Sequence, residues 1–105
     1  MNGALQGTTP KLEIKLPNAV SVDSLIGVEL TFKHNGNMSI YGLSDVTPNA
    51  VNNTITYNFT EAETLAFNPD EPVYWQARFK TAAGITGTKK AQFSVYELMS
   101  DREMQ

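Results

Sequence analysis

Histidine is the side chain that most often carries acid–base chemistry, and this sequence contains a single one, His34. A catalytic base or a metal site would need partners, and no second ligand stands at a suitable spacing from it. His34 directly precedes the turn-forming pair Asn35-Gly36, so we interpret it as a solvated hairpin residue. With one histidine, no cysteine and no G-x-S-x-G elbow, the sequence also lacks a nucleophilic triad.

Acidic side chains form a second group with chemical capacity, because carboxylate oxygens are the ligands that calcium prefers. They lie at positions 61, 63, 70 and 71. However, Glu63 follows Thr60 at the spacing of a capping box, in which the two side chains satisfy the first N–H groups of a helix. Pro69 and Pro72 place the other two carboxylates in a loop. We therefore predict a helical turn here, and neither a metal site nor a bound cofactor.

A glycine-containing segment, Gly84 to Lys89, is superficially similar to a phosphate-binding loop. It lacks the four-residue spacer of that motif and the strand-to-helix context in which the motif works. We predict a turn instead, with Gly87 marking a bulge or a sheet edge. No residue of the chain is thus predicted to be catalytic, and we predict that the protein is not an enzyme.

Aromatic side chains are the remaining candidates for recognition, since exposed rings stack on sugars or on partner proteins. In the segment from Val73 to Lys80, Trp75 is in phase with Ala77 and Phe79, so we predict that it lies in the core. Tyr74 is out of phase with that set. We therefore predict that Tyr74 faces outward as a candidate surface contact.

The elements that would position these residues are strands, because apolar and polar residues alternate with a period of two along most of the chain. The segments with this pattern are Lys11 to Leu16, Ile26 to His34, Asn37 to Leu43, Thr54 to Phe59, Val73 to Lys80, and a last long strand that contains Ala91, Phe93 and Val95. Residues 44–53 are predicted to form a loop. This spacing predicts an all-β fold, an antiparallel β-sandwich of about six or seven strands with one short helical turn.

Composition narrows the classes of protein further. A chain of 105 residues with 41% hydrophobic residues is predicted to form a single domain, residues 1–105, with a core of its own. Its net charge of −3, without a basic run, argues against a nucleic-acid-binding protein. No apolar run reaches the roughly 18 residues of a membrane span, and the N-terminal residues do not resemble a signal peptide. We expect no nucleic acid and no membrane among the partners, and synthesis in the cytosol.

The two ends of the sequence carry little core-forming pattern. We predict that residues 1–10 form an N-terminal arm and residues 99–105 a C-terminal tail, which are either disordered or, in an assembled particle, ordered by a neighbouring molecule. The candidate assembly contacts on these segments are Leu5, Thr8, Thr9 and Met99, to which the outward Tyr74 is added.

Several segments of the chain resemble a known type of protein. They are Gly7-Thr8-Thr9-Pro10 leading into the strand to Leu16, the strand end from Phe32 to Gly36, the turn from Thr60 to Phe67, and the final hairpin from Val73 to Leu98. In this layout the chain resembles small virion proteins of tailed bacteriophages and the immunoglobulin-like N-terminal domain of phage baseplate upper proteins. The resemblance implies an immunoglobulin-like sandwich that is a non-enzymatic component of the tail, baseplate or neck. It also implies multi-copy assembly with copies of itself and other virion proteins, and localisation in the virion after synthesis in the bacterial cytoplasm.

Two alternative functions stay open at the level of sequence. One is a head decoration or auxiliary capsid protein. The other is a carbohydrate-binding or host-surface-binding module that would use outward aromatic rings to contact a host-surface glycan.

Overall fold

The chain is built almost entirely from short β-strands, as seen in a computed structural model that describes residues 1–100 and 104. The strands are β1 (Gly3–Leu5), β2 (Lys11–Lys15), β3 (Gly27–His34), β4 (Asn37–Tyr41), β5 (Thr47–Asn49), β6 (Thr54–Asn58), β7 (Val73–Thr81), β8 (Gly84–Gly87) and β9 (Ala91–Tyr96). One α-helix, α1 (Glu61–Leu65), and two 3-10 turns, Val22–Ser24 and Leu43–Asp45, complete the elements. Within this described part, no helix is long and apolar enough to cross a bilayer.

The strands form two sheets. The larger has the order β1-β9-β7-β3-β4, with β8 also paired to β7, and the smaller has the order β2-β6-β5. Every pair is antiparallel except β1 with β9, which is parallel. The immunoglobulin fold has the same neighbours, because its strands C, F and G pair in one sheet and its strands B, E and D in the other. Here β3, β7 and β9 correspond to C, F and G, and β2, β6 and β5 correspond to B, E and D. The predicted all-β, immunoglobulin-like sandwich is confirmed.

Nine strands are present among the described residues, against the six or seven predicted. The additional ones are β1 and β5, each three residues long. Neither contains an alternating pattern long enough to identify it, and β5 contains Pro48, which cannot donate to a ladder. The last predicted strand is divided into β8 and β9.

The core lies between the sheets and follows the predicted phase. Its buried apolar residues from the strands include Leu12, Ile14, Leu30, Phe32, Ile55, Tyr57, Val73, Ala77, Phe79, Phe93 and Val95. Trp75 faces this core as predicted but is only half-buried, packed against its rim. Ile26 alternates in phase with Leu30 and Phe32 but is 62% exposed, because it lies just before β3 begins at Gly27.

Two local sequence signals fix the hairpins of the larger sheet. Asn35 and Gly36 have φ values of 51° and 80°, the positive values that a type I′ turn between β3 and β4 requires. Between the pairs Trp75↔Ala91 and Arg78↔Gly87, two residues of β7 face three of the returning chain. This is a β-bulge, as predicted near Gly87. A Cβ atom at Gly87 would lie 2.9 Å from the carbonyl oxygen of Ala77, which explains why glycine is needed there.

The predicted N-terminal arm is wrong, because residues 3–5 are a strand of the larger sheet. Ala4 pairs with Val95 and is 2% exposed. The amide of Gln6 donates from Nε2 to the carbonyl of Phe67 (2.7 Å), and its Oε1 accepts the N–H of Leu98 (3.0 Å). The partner strand lies some 90 residues away in the chain, so no local alternation marks the pairing. The segment belongs to the sandwich itself.

We predict effects of very different size for the same substitution at two neighbouring positions of β1. Ala4→Asp should lower the free energy of unfolding by about 3 kcal/mol or more, because it buries an unpaired charge. Leu5→Asp should lower it by less than about 1 kcal/mol, because Leu5 is 41% exposed. Urea unfolding followed by tryptophan fluorescence measures both. Equal midpoints for the two variants would show that the segment is a free arm after all.

Candidate functional site

The carboxylate of Glu63 accepts hydrogen bonds from strands of both sheets. Its Oε2 accepts hydrogen bonds from the hydroxyl of Tyr57 on β6 (2.7 Å) and from the hydroxyl of Tyr41 on β4 (3.1 Å). Its Oε1 accepts the N–H of Thr60 (2.8 Å), while Thr60 Oγ1 accepts the N–H of Glu63 (3.1 Å). The predicted capping box is confirmed. The same carboxylate also joins a strand of each sheet to α1.

Aromatic rings continue this link into the core. The ring centroids of Tyr41 and Tyr57 are 4.7 Å apart, and those of Tyr57 and Phe59 are 4.9 Å apart. Phe32 of the larger sheet lies 5.3 Å from Tyr57 and 5.2 Å from Phe59 of the smaller-sheet side. Tilted and edge-on contacts at these distances are the favourable geometries for ring pairs. The two tyrosine hydroxyls are therefore held in place, and both oxygens of Glu63 accept hydrogen bonds from within the protein.

Burial and these neighbours change the acidity of Tyr57. Burial raises the pKa of the Tyr57 hydroxyl well above its ordinary value of 10.0, and the hydrogen bonds with Tyr41 and Glu63 and the charge of Glu63 raise it further. Ionising this hydroxyl would place a second negative charge beside the carboxylate. Tyr57 is therefore a permanent hydrogen-bond donor in the folded protein.

His34 is not the solvated hairpin residue that the sequence predicted. Its Nε2 accepts the N–H of Asn68 (2.7 Å), and its Nδ1 lies 3.1 Å from the carbonyl oxygen of Pro72. Since Nε2 accepts, Nδ1 carries the proton and donates it to Pro72. The ring also lies 5.2 Å from that of Phe67. His34 thus ties the end of β3 to the loop before β7, and both of its nitrogens are engaged.

Beside His34 a cleft of about 440 Å³ opens at the end of the β3–β4 hairpin. It is lined by residues of the hairpin turn, by Glu71 and by Tyr74. Tyr74 is half-buried, and the ammonium of Lys90 lies 4.6 Å from its ring centroid. This cation–π contact occupies one face of the ring. The cleft therefore offers amide groups, the carboxylate of Glu71, the ammonium of Lys33 and the ring of Tyr74.

The outward face of the larger sheet is the broadest candidate surface; we call it the outer face. Its side chains alternate with the buried ones and are Glu29, Thr31 and Lys33 on β3, Met38 and Ile40 on β4, Tyr74, Gln76, Arg78 and Lys80 on β7, Ile85 on β8, Gln92, Ser94 and Tyr96 on β9, and Leu5 on β1. Arg78 pairs with Glu29 at 2.9 Å. Lys90 also reaches this face through Tyr74. The surface is therefore basic, with apolar side chains toward its two edges.

The predicted assembly contacts do not come together in one place. Leu5 is exposed on β1, and Thr8 is half-buried, with its carbonyl accepting the Thr64 hydroxyl at 2.7 Å. Thr9 is exposed next to it, and Met99 is fully exposed near the other chain end. Tyr74 lies on the outer face, as predicted, and Leu5 shares that face, because it pairs with Tyr96, which alternates with Gln92 along β9. Most of the predicted C-terminal tail, residues 101–103 and 105, lies outside the described residues.

The surface residues that sequence reasoning missed are Met38 and Ile40, which are 59% and 57% exposed. The alternation assigned them a common face correctly, but it did not show that this face is the outward one. A register count would have shown it. Asn37 faces His34 across the turn, so Met38 lies opposite Lys33 and Ile40 opposite Thr31, both on the polar side of β3.

The other sequence motifs do not form sites. Among residues 1–100 and 104, no group of three or more histidine or acidic side chains is placed to hold a metal ion. Glu63 is bonded as described, and the oxygen of Glu61 accepts the N–H of Met104 at 2.6 Å. The segment from Gly84 to Gly87 is the strand β8 and not a phosphate loop.

The raised pKa of Tyr57 predicts a loss of stability at alkaline pH. In the unfolded chain this tyrosine ionises near pH 10.0, whereas in the folded protein it keeps its proton, so the stability is intact below that pH and falls above it. One tyrosine lowers the free energy of unfolding by at most about 1.4 kcal/mol per pH unit. Urea unfolding between pH 9 and 11.5 should show a shallower decline for Tyr57→Phe. Tyr96→Phe, at an exposed position, should decline like the unsubstituted protein. Identical profiles for all three would contradict the role given to Tyr57.

Comparisons with known proteins gave matches among solved structures only. No family model matches the chain, and no curated protein matches it. Among solved structures, the chain is similar to the crystal structure of the titin M3 domain, with 14% sequence identity and a TM-score of 0.49. The alignment covers 90% of this chain and 86% of that one. The strand order given above, and not this likeness, carries the assignment of the immunoglobulin-like fold.

Proposed function

We propose that this chain is a non-enzymatic structural component of a tailed-phage particle, in its tail, baseplate or neck. It acts by assembling in several copies with itself and with other virion proteins. The observation that carries the proposal is the outer face of the larger sheet, an exposed surface that carries basic and apolar side chains on a chain that is acidic as a whole. The phage assignment is supported by the resemblance of the segments from Gly7 to Leu98 to small virion proteins.

The charge distribution of the chain is strongly uneven. Lys33, Arg78, Lys80 and Lys90 bring four positive charges to the outer face, and Glu29 brings one negative charge. Since the whole chain carries −3, the remainder carries −6. A basic face on one copy and an acidic remainder on the next favour contact between copies and steer their approach. This supports assembly as the mode of action.

The interior of the protein supports a non-enzymatic role. Both oxygens of Glu63 accept hydrogen bonds, and both nitrogens of His34 are engaged with backbone groups. Both side chains are engaged in bonds within the protein, although their types are the ones that most often serve as general bases. Their bonds hold the sandwich together, so the function falls to its surface.

The test is the composition of purified particles. Mass spectrometry of particles from the strain that encodes the chain should detect it in several copies per particle. Lys33→Glu with Lys80→Glu should reduce its incorporation at least tenfold, because the outer face loses its positive charge. Lys11→Glu with Lys15→Glu is the matched control, since it changes charge equally on exposed positions of β2, and it should incorporate normally.

Absence of the unsubstituted chain from particles would overturn the proposal. Equal loss of both charge-reversed proteins would assign the effect to net charge and would remove the role of the outer face. Separation of heads from tails before the measurement places the chain, and its recovery with heads would favour the alternative of a head decoration protein.

A host-surface glycan-binding module is the second candidate function, and the cleft beside His34 favours it. The cleft combines the ring of Tyr74 with carboxylate and amide groups, which are the contacts that orient a sugar. Nuclear magnetic resonance titration with a panel of bacterial-surface oligosaccharides should then shift amide signals at the β3–β4 turn. Tyr74→Ala should abolish these shifts, and Tyr96→Ala should leave them unchanged. Shifts scattered over the surface, or none, would contradict glycan binding.

A further inference from the structure

The open edges of the two sheets differ in how well they are protected against pairing with another chain. β1 and β5 are three residues long, and β5 contains a proline. β2 exposes Lys11, Glu13 and Lys15, and β8 begins and ends with glycine. Short strands, prolines and edge charges are the usual protections against strand addition. β4 has none of them, because its five residues, Asn37–Tyr41, include no charge, proline or glycine.

The backbone of β4 presents its free hydrogen-bonding groups at two positions. The two-residue turn makes His34 and Asn37 a hydrogen-bonded pair, so Ser39 and Tyr41 also bond to β3. Met38 and Ile40 alternate with them, and their N–H and C=O groups therefore point away from the sheet. No strand of the described chain lies on that side. Their side chains are the exposed apolar ones at this edge of the outer face.

We propose that β4 pairs antiparallel with β4 of a second copy of this chain, about a two-fold axis at Ser39. This inference rests on the proposed function, because multi-copy assembly requires a contact between copies. In this register Met38 of each copy faces Ile40 of the other. Each facing pair exchanges two backbone hydrogen bonds, because both residues point their groups outward. The two larger sheets then become one continuous sheet.

The sequence of β4 is complementary to itself in this arrangement. The apolar side chains of Met38 and Ile40 meet on the outer face, where cross-strand apolar pairs are favourable. No charge lies on the strand to repel its copy. The nearest like charges, Lys33 and its equivalent, lie three strand spacings apart or more, roughly 14 Å, which exceeds the screening length of about 8–10 Å at physiological salt.

The contact is small, so its expected strength is that of a weak dimer that becomes populated when copies are held together in a particle. Sedimentation velocity of the purified chain should show the weight-average mass rising from 11.6 kDa toward twice that value at high micromolar to millimolar concentration. Hydrogen exchange measured by nuclear magnetic resonance then shows which strand forms the contact between the copies. The amides of Met38 and Ile40 should become slower to exchange at high concentration, and the amide of Ser39 should not change.

The test variant is Ile40→Lys, which places a charge on the edge. Its matched control is Ile85→Lys. Ile85 is 63% exposed and Ile40 is 57% exposed, and Ile85 lies on the same outer face but away from β4. Ile40→Lys should weaken association at least tenfold, and Ile85→Lys should associate like the unsubstituted chain. Equal weakening by both variants would overturn the proposal by assigning association to general surface stickiness.

The measurements also separate this inference from the proposed function. A chain that stays monomeric at millimolar concentration, or a dimer in which the amides of Met38 and Ile40 stay unprotected, overturns pairing through β4. If such a chain is nevertheless found in particles, the proposed function stands. If Ile40→Lys is lost from particles although the free chain does not dimerise, the partner at this edge is another virion protein and the second copy is excluded.

Discussion

The sandwich depends on one carboxylate that both sheets share. Glu63 accepts hydrogen bonds from the hydroxyl of Tyr41 in the larger sheet and from that of Tyr57 in the smaller one, and it also caps α1. Hydrogen bonds to a charged acceptor are stronger than those between neutral groups, and the surrounding rings keep the donors in place. This interaction sets how the β3–β4 hairpin lies against β6, and the orientation of the β4 edge follows from it.

The position of the hairpin decides which surface the protein shows to partners. The tyrosine-bearing side of β4 is turned inward, where Tyr41 packs on Phe32 with ring centroids 5.9 Å apart. Because side chains alternate along a strand, Met38 and Ile40 must then face outward beside the basic outer face. The same constraint that stabilises the interior therefore places apolar side chains at an unprotected edge.

The loop before β7 and the N-terminal strand show how remote segments complete the fold. His34 bonds to Asn68 and Pro72, and Gln6 bonds to Phe67 and Leu98. Each polar side chain satisfies two groups on segments that have no regular partner of their own. Such bonds offset the desolvation of buried backbone groups.

The sequence by itself determined the features that depend on neighbouring residues. Alternation set the phase of the long strands, the Asn35-Gly36 pair set the hairpin turn, and the spacing of Thr60 and Glu63 set the helix cap. Tertiary structure decided whatever depended on partners distant in the chain. It paired Gly3–Leu5 with β9 and engaged both nitrogens of His34 with the segment before β7. The physical reason is that periodicity and turn chemistry act between residues close in sequence, whereas a hydrogen bond to a segment tens of residues away leaves no local pattern from which it could be predicted.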